Sequence, residues 1–227
     1  MADSNYYKFA DIIWKIDPHY PFLENLLAPF EVQTLEGAVF IDAQADGEMA
    51  ESELVLRNIN DRLLFDFNGI MIHAAAIIFK NKAYLLAAPS GTGKTTQIML
   101  LKQNFEDDIE ILCGDKPFIR FIDDTPIVYG SPWMGKEGFG SAKSAPLAGI
   151  YLVTRANECS IEKADFSKML SGIATALLSQ QSFEGRLKNL NMVEKICKSA
   201  DVFIFNCTKE KESAFMLKAH LESRSEI

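Results

Sequence analysis

The sequence lacks the features of a membrane or exported protein. Its 227 residues contain no run of the roughly 20 apolar residues that a membrane-spanning helix requires. The first five residues, Met1 to Asn5, carry none of the Lys or Arg that opens a secretory signal. We therefore expect a cytoplasmic protein with no membrane partner.

Positive charge is also in deficit. The chain has 23 Lys and Arg against 31 Asp and Glu, which gives a net charge of −8. Proteins that bind nucleic acids non-specifically need the opposite balance, because Lys and Arg neutralise the phosphates. We therefore expect no nucleic-acid partner, although local basic patches are compatible with this composition.

Cysteine is scarce and widely spaced. No Cys-x-x-Cys pair and no histidine at a ligand-like spacing accompanies the four cysteines, which are Cys113, Cys159, Cys197 and Cys207. Neither a zinc site nor a disulfide framework is indicated. We expect these residues to be reduced thiols.

The hydrophobic fraction of 48% and the charged fraction of 24% are typical of a globular α/β protein. Residues 1–68 are predicted to form a small N-terminal α/β subdomain, with a strand over Tyr6 to Ile16 and a helix over Ser52 to Phe67. From Gly69 the pattern changes to mostly strands. Residues 69–227 are predicted to form a second, larger domain.

Two apolar runs open the larger domain. Ile70 to Phe79 and Ala83 to Ala88 are separated by Lys80-Asn81-Lys82, which predicts a hairpin of buried strands. Helical patterns follow further on, from about Phe166 to Ser179 and from Phe183 to Ser199.

The strongest motif follows the second of these strands. The segment matches G-x-x-x-x-G-K-[ST] at every specified position but the first, and it reads Ala88-Pro89-Ser90-Gly91-Thr92-Gly93-Lys94-Thr95. Glycines let the backbone curl around phosphate oxygens, and a helix that follows adds its positive N-terminus. We call residues 88–95 the predicted phosphate loop. The alternative is a glycine-rich turn whose lysine is merely solvated.

This motif predicts bound ATP and Mg²⁺. Lys94 is expected to bridge the β- and γ-phosphates, Thr95 to bind Mg²⁺ through its hydroxyl, and Thr96 to support the loop. The predicted nucleotide-binding residues are Pro89, Ser90, Gly91, Thr92, Gly93, Lys94, Thr95 and Thr96.

Phosphoryl transfer also requires a carboxylate. Asp115 is the best candidate, because it follows the apolar strand Ile109 to Cys113 and so belongs at a strand end. It is predicted to be catalytic and to bind the metal, and the alternative is a turn or helix-capping aspartate. His73 lies in an apolar strand, where a lone histidine is more often a hydrogen-bonded core residue.

The loop that begins at Ser131-Pro132-Trp133 combines an aromatic side chain, a glycine and a cation, Lys136. It fits two interpretations equally well. In the first interpretation the loop closes over a ligand, and in the second it is a strand-exit turn with a packed tryptophan.

The segment from His73 through the hairpin to Lys94-Thr95 resembles the HPr kinase/phosphorylase family, in which a histidine starts a strand and the next strand leads into the phosphate loop. Leu112-Cys113-Gly114-Asp115-Lys116 is similar to the metal and catalytic aspartate segment of that family. Compact HPr-kinase-like proteins share further similarity near Ser131-Pro132-Trp133.

This resemblance implies a phosphoenolpyruvate-carboxykinase-like P-loop fold, with a mixed sheet and flanking helices. It also implies an ATP-dependent kinase that phosphorylates a Ser or Thr hydroxyl of a peptide or protein. Lys94, Asp115 and His73 carry over as catalytic residues, with His73 orienting the reacting groups. Ring assemblies occur in that family, so a homo-oligomer is a possible assembly.

The chain departs from the family pattern in two ways that matter for chemistry, and one of them is that the glycine-rich signature of the family is not recognisable in Gly135 to Ala145. Gly114 stands where the full-length enzymes carry the first of two paired acids, so we do not expect the reverse, phosphorylase reaction. Two other functions stay open. One is a non-catalytic ATP-binding module for sensing or assembly, and the other is a small-molecule kinase.

Overall fold

The computed structural model describes residues 5–34, 36–89, 91–180 and 182–225. It is a mixed α/β structure. The strands are β1 Tyr6–Phe9, β2 Ile12–Ile16, β3 Val39–Ile41, β4 Gly69–Met71, β5 Ala74–Phe79, β6 Lys82–Ala87, β7 Ile109–Cys113, β8 Phe118–Ile122, β9 Thr125–Tyr129, β10 Ser144–Arg155, β11 Ser160–Lys163 and β12 Asp201–Cys207. The helices are α1 Pro21–Leu27, α2 Glu48–Asp66, α3 Lys94–Phe105, α4 Phe166–Ala176, α5 Phe183–Ser199 and α6 Lys211–Ser225.

The N-terminal strand prediction was wrong in one respect. Tyr6 to Ile16 is not one strand but the antiparallel hairpin β1–β2, to which β3 adds in parallel. Ala10 and Asp11 form its turn, each with a φ of 54°. Neither residue is the glycine or asparagine that marks such a turn in a sequence, so the pattern did not reveal it.

The apolar run Ile70 to Phe79 also divides, into β4 and β5. At the break, the backbone N–H of Ile72 donates to Pro117 O at 3.1 Å and that of His73 donates to Ala176 O at 2.7 Å. Because β4 pairs with β8 and β5 pairs with β6 and β7, the two halves of the run belong to different parts of the sheet. A continuous apolar sequence carries no signal for such a division.

Nine strands of the described chain form the main sheet, in the order β4-β8-β9-β10-β6-β5-β7, with β12 beside β10 and β11 beside β12. Strands β6, β10 and β12 are parallel, whereas the other pairs are antiparallel. The sheet is therefore mixed. The predicted β5–β6 hairpin is confirmed, and its turn residues Lys80 and Asn81 have φ values of 47° and 61°.

Helices cover both faces of the β7-β5-β6-β10-β12 region. Side chains of α3 and α6, such as Ile98 and Leu217, pack into one hydrophobic cluster, and side chains of α4 and α5, such as Ile173 and Ile196, pack into another. A third cluster joins the N-terminal residues to β8, where Trp14 and Phe118 are both fully buried. The division of the chain at residue 68 stays a prediction.

Within the described ranges, none of the helices combines the length and the apolar character required to cross a bilayer.

Candidate functional site

The order of three neighbouring strands brings the predicted site residues to one edge of the sheet. β5 lies between β6 and β7 and runs antiparallel to both. The first residue of β5 pairs with the last residue of β6, and Ala76 of β5 pairs with Cys113 at the end of β7. Since His73 precedes β5, the predicted phosphate loop follows β6 and Asp115 follows β7, all of them lie at the same edge.

The predicted phosphate loop connects β6 tightly to α3. Gly91 and Gly93 have φ values of 78° and 120°, which side chains other than glycine rarely allow. The hydroxyl of Thr92 donates to Pro89 O at 2.8 Å, and α3 begins at Lys94. Ser90, which is among the predicted nucleotide-binding residues, lies outside the described residues.

Lys94 is directed back over the loop rather than into solvent. Its side chain is buried, and its Nζ donates to Ala88 O at 2.6 Å and to Pro89 O at 3.3 Å. Burial lowers the pKa of Lys94, while the charge of Asp115 raises it and that of Lys116 lowers it. The ammonium group of Lys94 is therefore close enough to interact electrostatically with Asp115 and Lys116, which follow β7. The solvated lysine of the alternative interpretation is not what the structure shows.

Thr95 and Thr96 lie on the first turn of α3, and both are exposed. Gly93 occupies the cap position of this helix without a side-chain capping bond. Both hydroxyls are thus at the surface at the amino end of α3, beside Lys94.

Asp115 is held by a nitrogen donor on each side of its carboxylate. Its Oδ1 lies 2.9 Å from His73 Nε2, and its Oδ2 accepts a hydrogen bond of 2.5 Å from Lys116 Nζ. Burial by itself raises the pKa of Asp115, but the hydrogen bonds and charges of His73 and Lys116 outweigh it and lower the pKa from 3.8 to about 2. Asp115 is therefore ionised at neutral pH. Because an ionised carboxylate can only accept, His73 Nε2 is the donor in this pair.

The backbone around Asp115 is fixed by hydrogen bonds to β5 and to the loop that begins at Ser131. Its carbonyl accepts from Ala74 N at 3.0 Å, and Lys116 N donates to Trp133 O at 3.1 Å. Trp133 is 7% exposed, and its Nε1 donates to Ser52 Oγ at 3.0 Å. Of the two interpretations of the loop from Ser131, the structure therefore shows the turn with a packed tryptophan.

The presence of glycine at position 114 has a steric reason that the sequence did not reveal. A Cβ at this position would lie 2.2 Å from the carbonyl oxygen of Met134, and Gly114 N donates to Phe139 O at 2.8 Å. Real Cβ atoms do not approach a backbone oxygen so closely, so the 134–139 segment leaves no room for a side chain. The missing acid at position 114 is thus a consequence of backbone packing.

Sequence reasoning missed two cations at the site. Arg155, at the end of β10, donates from its guanidinium group to Gly91 O and to Thr92 O, the latter at 3.1 Å. No local motif marks Arg155 in the sequence, and it is the pairing of β10 with β6 that places it against the loop. Lys116 carried one available signal, its position next to the predicted catalytic aspartate.

The residues present fit a magnesium ion bound mainly by a nucleotide. Mg²⁺ prefers oxygen ligands and often takes only one or two from the protein, with phosphates supplying others. The ionised carboxylate of Asp115 and the exposed hydroxyl of Thr95 are oxygen donors of this kind. Within the described ranges, no group of three or more His, Cys, Asp or Glu side chains is arranged to hold a metal ion.

No family model and no curated protein matches the chain. Among solved structures, it is similar to the HPr(Ser) kinase/phosphatase from Coxiella burnetii, with a TM-score of 0.39 and 9% sequence identity over 68% of this chain and 90% of that chain. A similarity this distant carries no argument about function.

Proposed function

We propose that the chain is an ATP-dependent, Mg²⁺-requiring kinase with a phosphoenolpyruvate-carboxykinase-like P-loop fold, and that it phosphorylates a Ser or Thr hydroxyl of a peptide or protein. One observation carries the proposal. A buried lysine in a glycine loop lies within electrostatic reach of an ionised carboxylate, at one edge of the sheet. Phosphoryl transfer needs both groups, a cation for the phosphates and a carboxylate for the metal and the attacking hydroxyl.

Nucleotide binding follows from the charges around the loop. Lys94, Lys116 and Arg155 all lie in or against this edge of the sheet, although the protein as a whole has a net charge of −8. The N-terminus of α3 adds the positive end of its dipole. Local positive potential in an acidic protein favours a polyanionic ligand such as the triphosphate of ATP.

Mg²⁺, held by the Thr95 hydroxyl and the Asp115 carboxylate, would supply charge neutralisation for the β- and γ-phosphates. Lys94 stabilises negative charge on the transferred phosphoryl group. Arg155 keeps the loop in place through the carbonyls of Gly91 and Thr92.

Asp115 orients the acceptor hydroxyl by accepting its hydrogen bond. A carboxylate with a pKa of about 2 removes no proton from a free hydroxyl. The hydroxyl becomes strongly acidic only as its oxygen bonds to the γ-phosphorus and the bond to ADP breaks, and the proton then passes to Asp115. His73 is a positioning residue, because its hydrogen bond to Oδ1 fixes the rotation of the carboxylate.

The non-catalytic alternative depended on Gly114 in place of a second acid. Since packing against Met134 excludes any side chain there, the glycine does not by itself indicate lost catalysis. The catalytic and sensing functions differ in one measurable step, the transfer of phosphate.

The test is incubation of the purified protein with Mg²⁺ and γ-labelled ATP in a lysate of its source cells. Wild type is compared with Asp115→Asn and with the matched control Asp123→Asn, which changes an exposed turn residue. We expect label in a peptide or protein that disappears in Asp115→Asn and persists in Asp123→Asn. Transfer that persists in Asp115→Asn contradicts the assigned role, and label found only in a small metabolite contradicts the proposed acceptor.

ATP affinity is measured in parallel by equilibrium binding. Lys94→Ala is expected to weaken it at least tenfold, whereas Lys102→Ala, an exposed position on the same helix, leaves it unchanged. Unchanged affinity in Lys94→Ala removes the phosphate-loop assignment. Intact ATP binding with no transfer to any acceptor supports the sensing module instead.

A further inference from the structure

A cavity of about 540 Å³ lies between α4 and the carboxyl ends of β6, β10 and β12. This volume is within the range of roughly 300–1,000 Å³ that is typical of ligand pockets. The carboxyl ends of parallel strands are also where α/β proteins bind ligands. Ala88 and Pro89 of the predicted phosphate loop form part of its wall, but Lys94, Asp115 and His73 do not line it.

The cavity touches the candidate site at two points. Ala88 lines it, and the carbonyl of Ala88 accepts from Lys94 Nζ at 2.6 Å. Ala176 lines it as well, and the carbonyl of Ala176 accepts from the backbone N–H of His73 at 2.7 Å. One hydrogen-bonded residue, Ala88 or Ala176, therefore separates the cavity from the phosphate-binding lysine and from the histidine that holds the carboxylate.

The interior of the cavity is apolar. Leu152 of β10 and Ile204 of β12 line it from the sheet, and both side chains are only partly buried. Gly172 of α4 lies directly on β10, since a Cβ there would be 2.5 Å from Leu152 Cδ1. The close approach of helix and strand closes one side of the cavity.

The mouth of the cavity is polar and open to solvent. Lys168 and Glu162 line it with opposite charges, and their Nζ and Oε1 atoms are 4.0 Å apart, longer than a direct hydrogen bond. Ser171 and Thr175 also line it and are exposed on α4. Groups of both signs around an open mouth suit the donors and acceptors of a peptide backbone, which must continue out of the site in both directions.

We propose that this cavity binds a bulky apolar side chain directly next to the Ser or Thr that is phosphorylated. The proposal rests on the proposed function and names the class of peptide that the site selects. Burying a large apolar group in an apolar cavity gains more free energy than burying a methyl group, which leaves most of the cavity unfilled. The acceptor hydroxyl then reaches Asp115 while its neighbour occupies the space beneath α4.

The test compares three short peptides, each with one serine. One has alanine on both sides of the serine, one has leucine before it and one has leucine after it. For wild type, we expect one of the leucine peptides to show a kcat/KM at least tenfold above the alanine peptide, the size of effect that one apolar group has in a fitted pocket.

A cavity-filling variant shows where the preference comes from. Ser171→Trp places an indole in the mouth of the cavity. We expect it to reduce the kcat/KM of the preferred leucine peptide to that of the alanine peptide. Ala174→Trp changes an exposed residue of the same helix that does not line the cavity, so the preference persists there. Equal rates for all peptides in wild type overturn the inference, as does a preference that survives in Ser171→Trp.

Peptide binding in the presence of a non-hydrolysable ATP analogue separates this inference from the proposed function. If the leucine peptide binds more tightly in wild type but not in Ser171→Trp, and no phosphate is transferred, the cavity assignment stands and the kinase assignment fails. Transfer without any preference, or transfer only to small alcohols, overturns the cavity assignment as a peptide site.

Discussion

Replacing Asp115 with asparagine removes a negative charge that two neighbouring side chains hold in the folded state. His73 Nε2 lies 2.9 Å from Oδ1 and Lys116 Nζ 2.5 Å from Oδ2. Asparagine has the same shape, but one of its two terminal groups is a donor that faces another donor. The substitution therefore tests the electrostatic part of the site with little change in volume.

The expected loss of stability follows from the pKa. The pKa of Asp115 falls from 3.8 to about 2 on folding, and each unit corresponds to about 1.4 kcal/mol. The side chain is 24% exposed, so solvent screens the interaction only in part. We expect Asp115→Asn to lower the free energy of unfolding by about 2 kcal/mol at pH 7.

The pH dependence has a defined sign. Because the folded-state pKa lies below the unfolded-state value, the stabilisation is complete above pH 5 and is lost as the pH falls through 3.8 towards about 2. The assay is urea denaturation of wild type and Asp115→Asn at several pH values between 7 and 3, with Asp123→Asn as the exposed control. A difference below about 0.5 kcal/mol at pH 7, the range of ordinary surface substitutions, refutes the argument. A difference that stays the same at pH 3 refutes it too, because it does not come from the ionised carboxylate.

Two further variants test how the site is built. Gly114→Ala is expected to lower the free energy of unfolding by about 2 kcal/mol or more, because its Cβ would lie 2.2 Å from Met134 O, and unchanged urea denaturation contradicts this close approach. Arg155→Gln is expected to raise the Kd for ATP about three- to tenfold by releasing the carbonyls of Gly91 and Thr92, with Arg155→Lys intermediate. Equal ATP affinity in wild type and Arg155→Gln shows that the arginine does not position the loop.

Features that depend on neighbouring residues were predictable from the sequence. The β5–β6 hairpin was one, since Lys80-Asn81 separates two apolar runs and both residues adopt the positive φ of a tight turn. The start of α3 directly after Gly93 was another, because the glycine loop interrupts a strand pattern and a helical pattern follows it. The short edge strand β11, of 4 residues, gave too weak a pattern to predict.

The strand prediction failed where one apolar run pairs with two different sets of strands. Ile70 to Phe79 reads as one strand, yet its first part pairs with β8 and its second part with β6 and β7. Residue types along such a run do not change at the break. The break is set by hydrogen bonds to Pro117 and Ala176, which are distant in sequence.

The sequence by itself determined the chemistry that the site offers: a glycine loop with Lys94, and an aspartate after an apolar strand. Only the tertiary structure decided how these groups are used. The placement of β5 between β6 and β7 brings His73 to Asp115, and the pairing of β10 with β6 brings Arg155 to a loop 63 residues earlier. The close approach of Met134 O allows no residue other than glycine at position 114. These contacts depend on the order of strands in the sheet, and that order is a property of the whole fold rather than of any local pattern.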